Sequence, residues 1–193
     1  KGIWMTVVLR PDIPPHQAPQ FTLVAAVAVV NAMKALYPSL EPVIKWPNDI
    51  LIGGKKTTGI LTEMLAESDR VNALLVGIGI NMNQAMSDFP DELQTIATSL
   101  AVELGHTVDR AELVAMICSY LENYTQLYVK HGFSRLKTLW EESSGTIGKR
   151  IRATTLREVL EGIAIGITED GVLQLQLDSG EVRGIYSADI ELT

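Results

Sequence analysis

Residues 45–61 decide the fold, and their sequence is KWPNDILIGGKKTTGIL. The apolar run Ile50 to Ile52 ends at Gly53-Gly54, a dipeptide that supplies the positive φ angles of a tight hairpin turn. We therefore predict that Thr57 to Leu65 returns as a second strand beside Ile50 to Ile52.

The two ends of this hairpin carry polar residues that suit a binding site. Lys45-Trp46-Pro47-Asn48-Asp49 ends the short strand Val43 to Trp46, and loops that leave strands often carry sites. The hairpin would bring Lys55 and Lys56 back toward Lys45 and Asp49. Two plainer interpretations stay open here, namely a strand end with a structural tryptophan and a pair of solvated lysines at a sheet edge.

Glycines within two strands indicate a surface without side chains. Gly59 lies inside the returning strand, while Gly77 and Gly79 are two residues apart and therefore share a face of the next strand, Ala73 to Ile80. A flat ligand fits such a face, although a tightly packed core strand has the same pattern. The dinucleotide-binding pattern GxGxxG fails, because Met82 stands at the third glycine position.

Working outward, the remaining periodicity predicts a strand over Ile3 to Arg10, a buried helix over Phe21 to Leu36 and an amphipathic helix from Asp109 to Tyr128. Phe133 to Trp140 continues that helix or forms another. After Gly145 the pattern changes to short strands separated by Gly-containing turns, which is typical of a small barrel. Those strands are Ile151 to Thr154, Glu158 to Ile167, Val172 to Leu177, Glu181 to Tyr186 and Ile190 to Leu192.

Composition limits the function classes. The chain has 193 residues and a net charge of −7, which argues against nucleic-acid binding through this chain. A single cysteine, Cys118, excludes an internal disulfide and favours a reducing cytoplasm. The apolar run 23–30 is too short for a membrane span. The three histidines show no metal-ligand spacing, and neither a Walker A motif nor a nucleophile elbow is present.

In order and spacing, the sequence resembles the biotin protein ligases. The resemblance rests on Lys45 to Asp49, on Lys56 with Gly59-Ile60-Leu61 and Glu63, and on Gly77 to Asn81. It implies an α+β fold: a class II aminoacyl-tRNA synthetase-like mixed β-sheet domain over residues 1–146, followed by a small C-terminal SH3-like β-barrel over residues 147–193.

The resemblance also implies roles for individual residues. Lys56 would contact biotin and the mixed anhydride, and Gly59 and Gly79 would lie against biotin. Lys45 and Asn48 would lie near the phosphate and ribose. Asp49 would be a partner of Mg²⁺ or of the reacting lysine. Ile80 and Asn81 would form the wall of the adenine site.

The implied reaction has two steps: biotin is activated with ATP to biotinyl-5'-AMP, and biotin is then transferred to a lysine of a biotin carboxyl carrier protein. Positioned lysines and magnesium suit this chemistry, because negative charge develops in the transition states of both steps. A homodimer is compatible with the resemblance. The family's Gly/Arg-rich loop, and any DNA-binding domain, would precede the first residue. A lipoate-type ligase and a truncated, non-catalytic biotin-binding fragment remain as alternatives.

Overall fold

The computed structural model describes all 193 residues and has an α+β architecture with two five-stranded sheets. The first sheet has the order β1-β5-β4-β3-β2 and consists of β1 (Ile3–Leu9), β2 (Val43–Lys45), β3 (Asp49–Ile52), β4 (Lys55–Ala66) and β5 (Val71–Ile80). The helices are α1 (Gln20–Leu36), α2 (Leu100–Leu104), α3 (Arg110–His131) and α4 (Ser134–Glu142). None of them is long and apolar enough to cross a membrane.

The α+β fold class is confirmed, but all four ladders of the first sheet are antiparallel, so this sheet is not mixed as predicted. Strands β2 to β5 follow one another through short connections, and such hairpins can pair strands only in antiparallel fashion. Gly53 and Gly54 form the predicted turn, with φ angles of 57° and 79°. β1 also runs antiparallel to β5. Parallel pairing is limited to two isolated bridges, Ile44 with Ser144 and Lys56 with Ala97.

Helix α1 is the centre of the core, as its apolar sequence predicts. Residues 24–30 have no exposed surface, and the helix packs against the first sheet, α3 and α4. Burial on all sides stabilises a helix whose valines have only modest helix propensity, since each fully buried valine contributes about 1.5–3 kcal/mol. The helix spans Gln20–Leu36, one residue longer than predicted.

Two details of the helices were not settled by the sequence pattern. Gly132, with a φ of 73°, ends α3, so α4 is a separate helix rather than a continuation. The short helix α2 was not predicted, although both of its ends carry recognisable signals. Ser99 accepts a hydrogen bond from the backbone N–H of Val102, and Gly105 adopts a left-handed conformation after the last turn.

The second sheet contains all five predicted strands in the order β10-β6-β7-β8-β9. They are β6 (Arg150–Thr154), β7 (Val159–Ile167), β8 (Leu173–Leu177), β9 (Val182–Ile185) and β10 (Asp189–Leu192). Strands β9 and β10 lie at opposite edges and form no ladder with each other, so closure into a barrel stays a prediction. The predicted boundary at residue 146 lies between the last helix and β6, and it also stays a prediction.

A turn of the second sheet docks on the first half of the chain. Gln20 Nε2 donates a hydrogen bond to the carbonyl oxygen of Glu169 at 3.1 Å. Trp46 Nε1 donates to the carbonyl oxygen of Gly171 at 3.3 Å. The hydroxyl of Tyr128, on α3, donates to Gln20 Oε1. These bonds connect α3 and α1 to the segment directly before Pro47-Asn48.

We expect Tyr128→Phe to lower the free energy of unfolding by about 1–2 kcal/mol, because a buried acceptor on Gln20 loses its donor. Tyr128 is only 3% exposed, and burial raises the pKa of its hydroxyl to about 12, so the donor is protonated at neutral pH. Urea denaturation measures the change. Tyr120→Phe is the control, because the structure shows no hydrogen bond from the hydroxyl of Tyr120. Equal effects of the two substitutions would contradict the importance of the Tyr128 hydrogen bond.

Candidate active site

Five residues form one row across the first sheet. From strand to strand, the register pairs Lys45 with Asp49, Asp49 with Gly59, Gly59 with Gly79, and Gly79 with Trp4. Directly paired residues of an antiparallel sheet point to the same face. The row therefore has charged side chains at one end, an aromatic ring at the other and two bare glycines between them.

A cavity of about 800 Å³ lies over this bare centre. Gly59, Gly77 and Gly79 are among its lining residues, as is Trp4, which is 84% exposed. A Cβ atom at Gly79 would lie 3.3 Å from Cζ3 of Trp4, so the ring lies almost directly on the glycine. The volume is within the range of pockets that enclose small organic ligands.

Lys56 is the one charged residue that lines the cavity. Its Nζ lies 2.6 Å from Oδ1 of Asp49. The two groups form an ion pair, but their relative orientation does not meet the angular criteria of a hydrogen bond. The side chain of Lys56 is 49% exposed, whereas that of Asp49 is 17% exposed, so solvent can still reach the ammonium group. The neighbouring Lys55 instead donates to the carbonyl oxygen of Gln94 at 3.3 Å. The two lysines thus have different partners, and one of them is available to an anion in the cavity.

Two asparagines supply further polar groups to the cavity. Asn48 Nδ2 donates to the carbonyl oxygen of Ile60 at 2.8 Å, which fixes the amide beside β4. Asn81 follows β5, and its Nδ2 donates to the carbonyl oxygen of Thr98 at 3.1 Å. These amides are held by backbone atoms, so their orientation is set before a ligand arrives.

Ile80 and Lys45 were expected at the site but do not line the cavity. Ile80 is 1% exposed and its side chain faces the core, because it lies next to Gly79 in a regular strand. Its side chain therefore does not form a wall of this cavity. Lys45 is on the outermost strand β2, beyond Asp49 in the row.

The residues do not form a magnesium site by themselves. No group of three His, Cys, Asp or Glu side chains is arranged to hold a metal ion, and no carboxylate lines the cavity. Asp49, the expected magnesium partner, is paired with Lys56 instead. Mg²⁺ is usually held by one or two carboxylates together with substrate phosphates, and Asp49, whose Oδ1 lies 3.8 Å from the position of a Cβ on Gly59, is a carboxylate beside this cavity.

Sequence reasoning missed the outer wall of the cavity. Phe89, Leu93, Ile96 and Ala97 line it from the segment between β5 and α2. The available signal was the helical spacing of large apolar side chains in a segment where no strand or helix was predicted, namely Met82, Met86, Phe89, Leu93 and Ile96. Trp4 was noted only as part of the first strand.

Comparison with known proteins gives matches over nearly the whole chain. Residues 2–142 match the family model described as the biotin/lipoate A/B protein ligase family, and residues 146–193 match the biotin protein ligase C-terminal domain. The bifunctional ligase/repressor BirA of Bacillus spizizenii is 52% identical over 191 residues, which are 99% of this chain and 58% of that protein.

Two further proteins extend the comparison. The biotin--[acetyl-CoA-carboxylase] ligase of Paracoccus denitrificans is 33% identical over 91% of this chain and 74% of its own length. The structure of the Aquifex aeolicus biotin protein ligase in complex with biotin and ATP superposes with a TM-score of 0.84 at 25% identity, covering 100% of this chain and 78% of that one. The chain thus spans somewhat more than half of the first relative and about three quarters of the other two.

Proposed function

Since this chain belongs to the biotin protein ligases, we propose that it activates biotin with ATP to biotinyl-5'-AMP and transfers biotin to a lysine of a biotin carboxyl carrier protein. The observation that carries the proposal is the position of Lys56, the single cation in a cavity whose floor is made of glycines. The floor suits a flat ring, and the cation suits an acid and a phosphate group.

The geometry of Lys56 fits the first step of this reaction. A carboxylate that approaches the α-phosphate of ATP is repelled, and the transition state places negative charge on phosphate oxygens. A positioned ammonium group stabilises both. Asp49, 2.6 Å from Lys56 Nζ, holds the amine until an anion enters. The step needs no covalent enzyme intermediate, in agreement with a cavity lined by neither cysteine nor histidine.

Further parts of the proposal come from the chemistry and the relatives. Magnesium would enter with the phosphates of ATP, because Mg²⁺ is usually bound by one or two carboxylates together with substrate phosphates. The exposed, unpaired Cys118 suits a reducing cytoplasm. A homodimer would not be needed for the first step, because one chain supplies every residue that lines the cavity. The acceptor would be a carboxylase subunit, as the name of the Paracoccus denitrificans relative indicates for that protein.

Comparing biotin with lipoic acid as substrates tests the alternative that the chain is a lipoate-type ligase. We expect biotin to give pyrophosphate release on the order of 10⁴-fold faster than lipoic acid at equal subsaturating concentrations. A site that hydrogen-bonds polar groups of its substrate rejects an analogue that lacks them, and lipoic acid lacks the ureido group. The measurement is coupled pyrophosphate release by the full-length protein with each acid and ATP. Faster pyrophosphate release with lipoic acid would mean that the chain is a lipoate-type ligase.

A further inference from the structure

Strand β4 contains one residue more than its partner at the start of the hairpin. Ile50 pairs with Thr58, but the next residue, Leu51, pairs with Lys56. Thr57 is therefore the extra residue of a β-bulge, a feature that redirects neighbouring side chains.

The bulge decides which lysine faces the cavity. In a regular strand, residues two apart share a face, so Gly59 would share its face with Thr57 and Lys55. Lys56 would then point away from the cavity. In the structure, Cε and Nζ of Lys56 both lie 3.5 Å from the position that a Cβ of Gly59 would occupy. The extra residue thus brings Lys56 to the same face as Gly59 and Asp49.

Thr57 itself holds the bulge together. Its Oγ1 donates a hydrogen bond to the carbonyl oxygen of Ile50 at 3.1 Å, across the point where the ladder shifts. Its own carbonyl oxygen accepts from the backbone N–H of Asn81 at 2.8 Å. Thr57 is 1% exposed. If its hydroxyl is removed, water therefore does not donate a hydrogen bond to the carbonyl oxygen of Ile50 in its place.

We propose that Thr57 is a positioning residue for Lys56, and that its hydroxyl maintains the bulge that turns the ammonium group into the cavity. The proposal rests on the proposed function, because it assigns to Lys56 the task of meeting the acid and the phosphate. Thr57 also lines the cavity, but its hydroxyl is bonded to the carbonyl oxygen of Ile50, so in this role it does not contact the reacting atoms. It acts through the direction of the next side chain.

The first test is a pair of substitutions at Thr57 in the full-length protein. Thr57→Val removes the hydroxyl at nearly constant volume and should lower kcat/KM for biotin-dependent pyrophosphate release about tenfold or more, as displacement of a catalytic group by about 1 Å does. Thr57→Ser keeps the hydroxyl and should restore most of the activity. Thr62→Val is the control on the same strand, because Oγ1 of Thr62 has no hydrogen-bond partner. Loss of activity in Thr57→Ser equal to that in Thr57→Val would overturn the proposal.

A double-mutant cycle separates positioning from a general effect on the fold. If Thr57 acts through Lys56, then Thr57→Val should cause no further loss in a Lys56→Ala background. A purely structural role would lower activity in both backgrounds by the same factor, and that result would overturn the proposal. Melting temperatures of all variants show whether unfolding contributes.

A third measurement needs no turnover. Lysines labelled by reductive ¹³C-methylation report their surroundings by NMR, and the Lys56 signal is assigned by its loss in Lys56→Ala. Thr57→Val should move this signal toward that of a free surface lysine, whereas Thr57→Ser and Thr62→Val should leave it in place. An unmoved signal in Thr57→Val would overturn the positioning role. Wild-type protein without pyrophosphate release would overturn the proposed function and leave this NMR result valid on its own.

Discussion

Lys56→Ala, made in the full-length protein, is expected to lower the rate of biotin-dependent pyrophosphate release about a hundredfold, which corresponds to about 3 kcal/mol of lost transition-state stabilisation. The free energy of unfolding should change by about 1 kcal/mol or less, because the side chain is 49% exposed and exposed ion pairs contribute little. Pyrophosphate release and urea denaturation of the same preparations give the two values.

Lys55→Ala is the matched control for this prediction. Lys55 is the neighbouring residue with the same charge, but its ammonium group contacts the carbonyl oxygen of Gln94 rather than Asp49. We expect its rate to stay within about twofold of wild type, as for substitutions of surface side chains away from the site. Small and equal effects of the two substitutions on the rate would mean that both lysines are solvated residues at a sheet edge. A large effect of Lys55→Ala alone would contradict our inference that the bulge directs Lys56, and not Lys55, toward the cavity.

Gly59→Val should weaken biotin binding about a hundredfold with little change in the melting temperature. Overpacking a well-fitted contact costs about 1–3 kcal/mol, and here the added atoms enter the cavity rather than the core. A Cβ at Gly59 would have its nearest neighbours at 3.5 Å, Cε and Nζ of Lys56, which is ordinary van der Waals contact. The fold therefore accommodates the valine side chain, but the side chain occupies the space that a ligand above Gly59 would fill.

A series of substitutions makes this result interpretable. Gly59→Ala should weaken binding less than Gly59→Val, because the loss grows with the volume added to the cavity. Gly79→Val should also weaken binding, but it must displace Trp4, whose ring atom Cζ3 lies 3.3 Å from the new Cβ. Titration calorimetry with biotin gives the affinities. Unchanged affinity in Gly59→Val with a normal melting curve would show that Gly59 does not line the biotin site.

Local patterns predicted most of the secondary structure, because the signals for a helix, a strand or a tight turn lie within a few residues. The apolar sequence of Phe21 to Leu36 predicted α1, and Gly53-Gly54 predicted the hairpin. The same patterns placed Gly59 and Gly79 on strands, where the structure pairs them directly. The mixed first sheet that the resemblance implied is antiparallel in the structure, and the short helix α2 was not predicted.

What the sequence determined by itself was therefore most of the helices and strands and the residue types at the site, since composition, periodicity and turn residues are local. What only the tertiary structure decided was which side chains meet. Phe89 and Ile96 reach the cavity from a segment in which no strand or helix was predicted, and Ile80 turns away from it. Lys56 faces the cavity because of a bulge at Thr57. One extra residue reverses the face of every position before it, and that residue is fixed by hydrogen bonds to Ile50 on the neighbouring strand and to Asn81 after β5.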